Sequence, residues 1–265
     1  MNKREVKILI EGFNIVGEAY FPQTRKRSPA LCICHGIPSG APIDPTDKGY
    51  QLLAERFCND GWASVIFNFR GTGVSGGNLD LMGWARDAQA VVNYLRNYPE
   101  VDADHISLMG FSGGAATSIY VAAHDPRIAS VVACACPTTF ALLTEKWQPD
   151  LISSHFREIG AIRDEDFPPS LEDWVSGFNK IAPLDWIKSI SPRPLLILHG
   201  GKDKAVNVEQ ARELYRIAGE PKDLLVAKDG EHKLRLSQEA MDMAVNWLNV
   251  HEPLIAQNQV DTSIC

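Results

Sequence analysis

The chain has 265 residues, 45% of them hydrophobic and 22% charged, which is the balance of a globular protein large enough for one substantial α/β core. A formal net charge of −7 argues against a nucleic-acid groove or an anionic membrane surface, since both need a basic face. No apolar run is long enough for a signal peptide or a membrane span, so a soluble protein in the cytoplasm is the expectation.

Short apolar runs alternate with longer amphipathic segments, the rhythm of βαβ units around a mostly parallel sheet. VKILIE and IVGEAYFP read as the first two strands, and the basic run Arg25-Lys26-Arg27, set between Pro22 and Pro29, as a solvated turn. ALCICHG is the third strand. YQLLAERFCNDG follows as a helix closed by Gly61, and ASVIFNF is the fourth strand. After the loop RGTGVSGG, a helix beginning near Met82 places Ala88, Val91, Val92 and Leu95 on one stripe and is closed by Pro99. HISLMGF, the helix AATSIYVAAHDP and the strand SVVACACP come next.

From Thr138 to about Ile187 no good strand appears. FALLTEKW, LISSHFREIG and LEDWVSGFNKI are helical, and Trp147, Phe156, Phe167, Trp174, Phe178 and Trp186 concentrate there. The segment is expected to be a helical lid inserted into the sheet, with most of its aromatics gluing it to the core. PLLILHG, VEQARELYRIAG, DLLVAKDG and SQEAMDMAVNWLNVH then restore the strand–helix alternation. The predicted organisation is a core over 1–137 and 188–250, a lid over 138–187 and a loose tail over 251–265. The fold class is α/β, an eight-stranded, mostly parallel sheet with helices on both faces.

The six cysteines fit a reduced compartment. Cys32 and Cys34 share one strand, and Cys134 and Cys136 another, so each pair would point to one face. Buried apolar filler is the expected role rather than a metal site.

VIFNFRGTGVSGG matches two patterns at once. Gly71, Gly73 and Gly76 spell the dinucleotide fingerprint G-x-G-x-x-G, while Gly73, Ser75 and Gly77 spell G-x-S-x-G. Neither context fits, because no helix opens directly after these residues. Ser112 has the context that Ser75 lacks. The strand HISLMGF runs into Gly110, Gly113 and Gly114 flank the turn, and an apolar helix starts at once. Such an elbow exposes the serine Oγ and aims helix N–H groups at a developing oxyanion.

A serine needs a base, and the base needs an acid to fix its tautomer. Asp203 lies just beyond the strand PLLILHG, and His232 in the loop after DLLVAKDG, which gives the order Ser112, Asp203, His232. Asp229 is closer to His232 in sequence, but it is expected to shape the turn at Gly230. His199 and His35 are expected to be structural, His35 as the organiser of its loop. The turn His35-Gly36 lets the backbone N–H of Ile37 join that of Gly113 as oxyanion donors.

HGIPSG, FNFRGTGVSGG, GFSGGA, HGGKDKAV and DGEH, in that order, resemble the α/β-hydrolase superfamily over nearly the whole chain. The nearest likeness is to its esterase and serine-aminopeptidase-like branch with a small helical cap. One departure is Asn68, where many such hydrolases have Asp. The resemblance implies a cofactor-free serine hydrolase that forms an acyl-enzyme intermediate, acts on a small-molecule ester and binds neither metal nor nucleic acid. It leaves a homodimer open. Peptidase, amidase and thioesterase chemistry use the same triad, with lid acids such as Glu145, Glu158, Asp164, Glu165 or Asp166 as candidate anchors for a substrate amine. A non-catalytic ligand-binding protein is the reading from another class.

Overall fold

In the computed structural model, which describes residues 1–24, 26–40, 47–145 and 148–251, Asn2–Ile10 (β1) and Phe13–Phe21 (β2) form an antiparallel hairpin. Its turn uses Glu11 at φ 48° and Gly12 at φ 89°. Six further strands follow: β3 (Ser28–Cys34), β4 (Ala63–Phe67), β5 (Val101–Phe111), β6 (Ile128–Cys134), β7 (Leu195–Gly200) and β8 (Lys222–Ala227). They join one eight-stranded sheet in the order β1-β2-β4-β3-β5-β6-β7-β8. Only the pairings of β2 with β1 and β4 are antiparallel.

The central strands are apolar on both sides because both faces are covered. Leu31 and Ile33 of β3 pack on α1 (Gln51–Asn59) and α9 (Gln238–His251). Cys32 and Cys34 turn the other way, toward α2 (Leu81–Arg96), α3 (Gly113–His124) and α8 (Val208–Ile217). The same alternation runs along β6 and β7, where Val131, Ala133, Leu195 and Ile197 face one cluster and Val132, Leu196 and Leu198 the other.

One cysteine pair departs from its expected placement. Cys32 and Cys34 share a face, but β6 ends at Cys134, and Ala135 takes a left-handed φ of 49°. The chain therefore swings over, and Cys134 and Cys136 lie in opposite clusters. All four thiols are buried, and burial pushes those of Cys134 and Cys136 up, away from the thiolate form.

Between β6 and β7 lie α4 (Ala141–Thr144), α5 (Pro149–Glu158), α6 (Leu171–Lys180), α7 (Pro183–Trp186) and a 3₁₀ turn, Ile187–Ile190. Among its described residues, FALLTEKW yields the single turn α4. Phe156, Trp174 and Phe178 are buried and pack ring on ring, and the Trp174 indole N–H donates to the Leu79 carbonyl at 2.8 Å. Trp186 packs outside them, edge-on to Tyr120 and tilted against His124 of α3. These rings hold the segment to the core. Trp147, Arg25 of the basic run and the tail from residue 252 lie outside the described residues.

No helix among the described residues is long and apolar enough to cross a membrane.

Candidate active site

β3 and β5 are parallel neighbours with Cys34 opposite Gly110, so the loops leaving their carboxyl ends emerge side by side. Ligands of open α/β sheets bind at such strand ends. Ser112 follows β5 at φ 54° and ψ −119°, a left-handed backbone that costs a non-glycine residue about 1–3 kcal/mol. That turn lifts its Oγ clear of the strand. The glycines around it are steric necessities. A Cβ on Gly114 would run into the carbonyl oxygens of Cys34 and His35, and one on Gly110 into the backbone of Gly114 and Ala115.

The other expected residues converge on Ser112. His232 Nε2 lies 3.2 Å from Ser112 Oγ, and His232 Nδ1 lies 2.8 Å from Asp203 Oδ2. A carboxylate can only accept, so Nδ1 carries the imidazole proton and Nε2 presents its lone pair to the serine hydroxyl. The Asp203 side chain is fully buried. Its other oxygen accepts from the N–H groups of Ala205 (2.8 Å) and Val206 (2.9 Å). Burial pushes the Asp203 carboxyl up, but the hydrogen bonds from His232, Val206 and Ala205 outweigh it and hold the group below its usual range. α8 is capped instead by Asn207, which accepts from the Glu209 N–H, so Asp203 is not spent as its cap.

His232 reaches back from β8 because its loop lies on the loop after β7. The Lys202 N–H donates to the Gly230 carbonyl at 2.9 Å, and a Cβ on Gly200 would strike that carbonyl. Asp229 does not shape the site. It is exposed and pairs with Lys202 at 2.6 Å.

The oxyanion expectation falls on adjacent backbone. Gly113 is the first residue of α3, so its N–H has no carbonyl to bond within the helix. A Cβ on Gly113 would lie 3.5 Å from Ile37 N, so the Ile37 backbone packs close against Gly113. His35 holds that loop. Its Nδ1 lies 2.8 Å from the Gly36 carbonyl, so Nδ1 is protonated and Nε2 accepts from the Phe69 N–H at 3.2 Å. Burial lowers its pKa, so the ring stays neutral.

His199 was legible only as a structural histidine, yet it touches the acid. Its Nε2 bonds the Val206 carbonyl at 2.9 Å and lies 3.5 Å from Asp203 Oδ2. Its Nδ1 is buried with no hydrogen-bond partner among the described residues, and burial lowers the ring's pKa. A neutral His199 thus braces the turn that presents Asp203. The signal was in HGGKD, where a tight turn brings residues four apart together.

Ser75 is no second nucleophile. It is fully buried, its hydroxyl donates to the Asn68 carbonyl at 2.6 Å and it accepts from the Val16 N–H at 2.9 Å.

A cavity of about 600 Å³ opens at Ser112 and His232. Gly36 to Ser39, Tyr50 and Phe111 supply much of its wall, and Lys233 and Arg235 line its rim. A second cavity, of about 590 Å³, shares His35, Tyr50 and Asn68 with it and runs out over the β1–β2 hairpin. None of the aromatics of α5 and α6 lines either one.

The family model for X-Pro dipeptidyl-peptidase (S15 family) matches residues 11–158. The chain is 30% identical over 170 residues to the uncharacterized protein YfhR of Escherichia coli O157:H7, an alignment covering 63% of this chain and 52% of that protein. The chain thus spans about half the length of the first curated relatives it matches. It is 26% identical over 284 residues to the polyketide transferase ATR5 of Stachybotrys chlorohalonatus, covering 90% and 93% of the two chains. The α/β hydrolase GrgF from Penicillium sp. sh18 superposes with a TM-score of 0.74 at 21% identity, over 95% of this chain and 99% of that one. That likeness is one of fold.

Proposed function

The chain belongs to the X-Pro dipeptidyl-peptidase (S15) family of the α/β-hydrolase superfamily, and on that premise we propose that it hydrolyses a carboxylic ester through an acyl-enzyme intermediate. Ser112 Oγ attacks the carbonyl carbon as its proton passes to His232 Nε2, and the imidazolium is stabilised by Asp203. The tetrahedral oxyanion is held by the N–H groups of Ile37 and Gly113, each worth about 10²–10³ in rate. The alcohol leaves with the proton from His232. A water molecule, deprotonated by the same ring, then attacks the acyl-serine and releases the acid. The observation that carries this reading is the hydrogen-bonded chain from Asp203 through His232 to Ser112, at 2.8 and 3.2 Å, on a left-handed turn at the mouth of a cavity.

The family description favours a second reading, amide cleavage at a peptide N-terminus. A carboxylate in the cavity would have to hold the substrate's amine. Glu145, Glu158, Asp164, Glu165 and Asp166 are exposed, and none lines the cavity at Ser112. The ester reading is therefore preferred.

A series of p-nitrophenyl esters of increasing acyl length, run beside X-Pro and aminoacyl naphthylamides, tests it. The expectation is ester turnover that Ser112→Ala abolishes. No ester turnover by the wild type, or undiminished turnover by the variant, refutes it, and faster turnover of the naphthylamides supports the peptidase.

A further inference from the structure

The charged side chains that line the Ser112 cavity are Lys233 and Arg235, and no carboxylate stands among its described lining residues. In a chain of net charge −7, that sign is not the one chance placement would supply. Lys233 directly follows His232, so its backbone is fixed by the loop that presents the ring beside Ser112.

The two cations are not equivalent. Arg235 is largely buried and makes a double hydrogen bond to Asp47, Nη1 to Oδ1 at 2.6 Å and Nη2 to Oδ2. Its guanidinium also lies 5.1 Å from the Tyr50 ring centroid, over the cavity wall. Asp47 is itself 5% exposed, and the Arg235 hydrogen bonds hold its carboxyl below the usual range. One buried negative charge therefore answers Arg235. Lys233 Nζ stands 3.9 Å from the same carboxylate and is 55% exposed. Among the described residues, two cations over one carboxylate leave a net positive charge at the cavity, carried by a side chain exposed enough to reach a bound molecule.

We propose that the preferred substrate is an ester carrying a carboxylate away from the scissile bond, and that Lys233, backed by the Arg235–Asp47 pair, is the specificity-determining residue that receives it. This rests on Ser112 being the nucleophile. An exposed ion pair contributes up to about 1 kcal/mol, which corresponds to a preference of up to about fivefold in kcat/KM. Because the pair is solvent-accessible, added salt weakens it.

The test compares two isosteric pairs with the wild-type enzyme. 4-Methylumbelliferyl monoadipate against its terminal amide places the charge in the acyl group. 4-Acetoxybenzoate against 4-acetoxybenzamide places it in the alcohol. The expected result is a higher kcat/KM for the carboxylate member of one pair. That ratio should fall toward one in Lys233→Met and at 0.5 M salt (roughly a 4 Å Debye length), be inverted in Lys233→Glu, and be recovered in Lys233→Arg. The pair that shows the preference identifies the side of the scissile bond that faces Lys233. Turnover of the amides at or above that of the carboxylates in both pairs overturns the inference while leaving ester hydrolysis standing. A preference that survives Lys233→Glu overturns the role of Lys233. No turnover of any of the four refutes the hydrolase reading itself. Lys233 is exposed, so its variants are expected to fold.

Discussion

Arg70 is 4% exposed and tied on both sides. Its guanidinium meets Asp87 of α2, fully buried, at 2.7 Å, and Glu11 of the β1–β2 turn, also at 2.7 Å. Gly83 has no side chain because Arg70 occupies the space a Cβ would take. Arg70→Ala would leave Asp87 buried without its cation, at a cost of about 3–5 kcal/mol. Thermal unfolding should show that loss, while the ester preference of the surviving folded enzyme should not move. Glu11 titrates in the same network, held at about 2 by hydrogen bonds from Arg70 and Arg86 against an ordinary value of 4.5. A depressed carboxyl contributes stability that is complete above its unfolded pKa and lost as pH falls through the folded one. Tm should therefore decline between about pH 4.5 and 2, and Glu11→Gln should flatten that decline, as measured by thermal melts across the range. This network was only partly legible in the sequence. Arg70 could be read as an anchor for its loop, but Asp87 and Glu11, 17 and 59 residues away, become partners only once α2 and the hairpin are in place. The Arg235–Asp47 pair, 188 residues apart, was invisible for the same reason.

Among the elements, the turn from β5 into α3 carries the proposed chemistry. Gly114 lies against the carbonyl oxygens of Cys34 and His35, so Gly114→Ala must push the β3 loop outward and carry Ile37 with it. The expected effect is a fall in kcat of about 10²–10³, the usual loss for one misplaced oxyanion donor. A Gly114→Ala enzyme of unaltered kcat would place the oxyanion elsewhere. All eight strands were legible as apolar runs, most clearly β3, β4, β6 and β7, whose burial on both faces leaves few polar residues to confuse the pattern. Strand limits were less legible. β1 extends back to Asn2 and β5 back to Val101, through polar residues that gain their place from pairing with a neighbour. The proposed triad residues, Ser112, Asp203 and His232, could be picked out because each lies just past a strand end. The helical segment between β6 and β7 was legible as helical and aromatic. Its packing was legible only as a tendency, and its buried rings turn into the core rather than toward the Ser112 cavity. We propose that it acts as a cap through the contact of Ile159 and His155 in α5 and its end with Gly40.

At the scale of the molecule, the sheet brings four loops from distant parts of the chain to one edge. The β3 loop offers amides, the β5 turn a serine, and the β7 and β8 loops an acid and a base. In a chain of net charge −7, the charged side chains among the described lining of the Ser112 cavity are the cations Lys233 and Arg235. Covalent labelling with a fluorophosphonate, followed by peptide mass spectrometry, tests the central claim most directly, since only a serine activated by its own base reacts at a useful rate. The account predicts a single stoichiometric adduct on Ser112, absent in Ser112→Ala and strongly slowed in His232→Ala. An unlabelled Ser112 in a protein that still turns over esters, or an adduct on another serine, would contradict it.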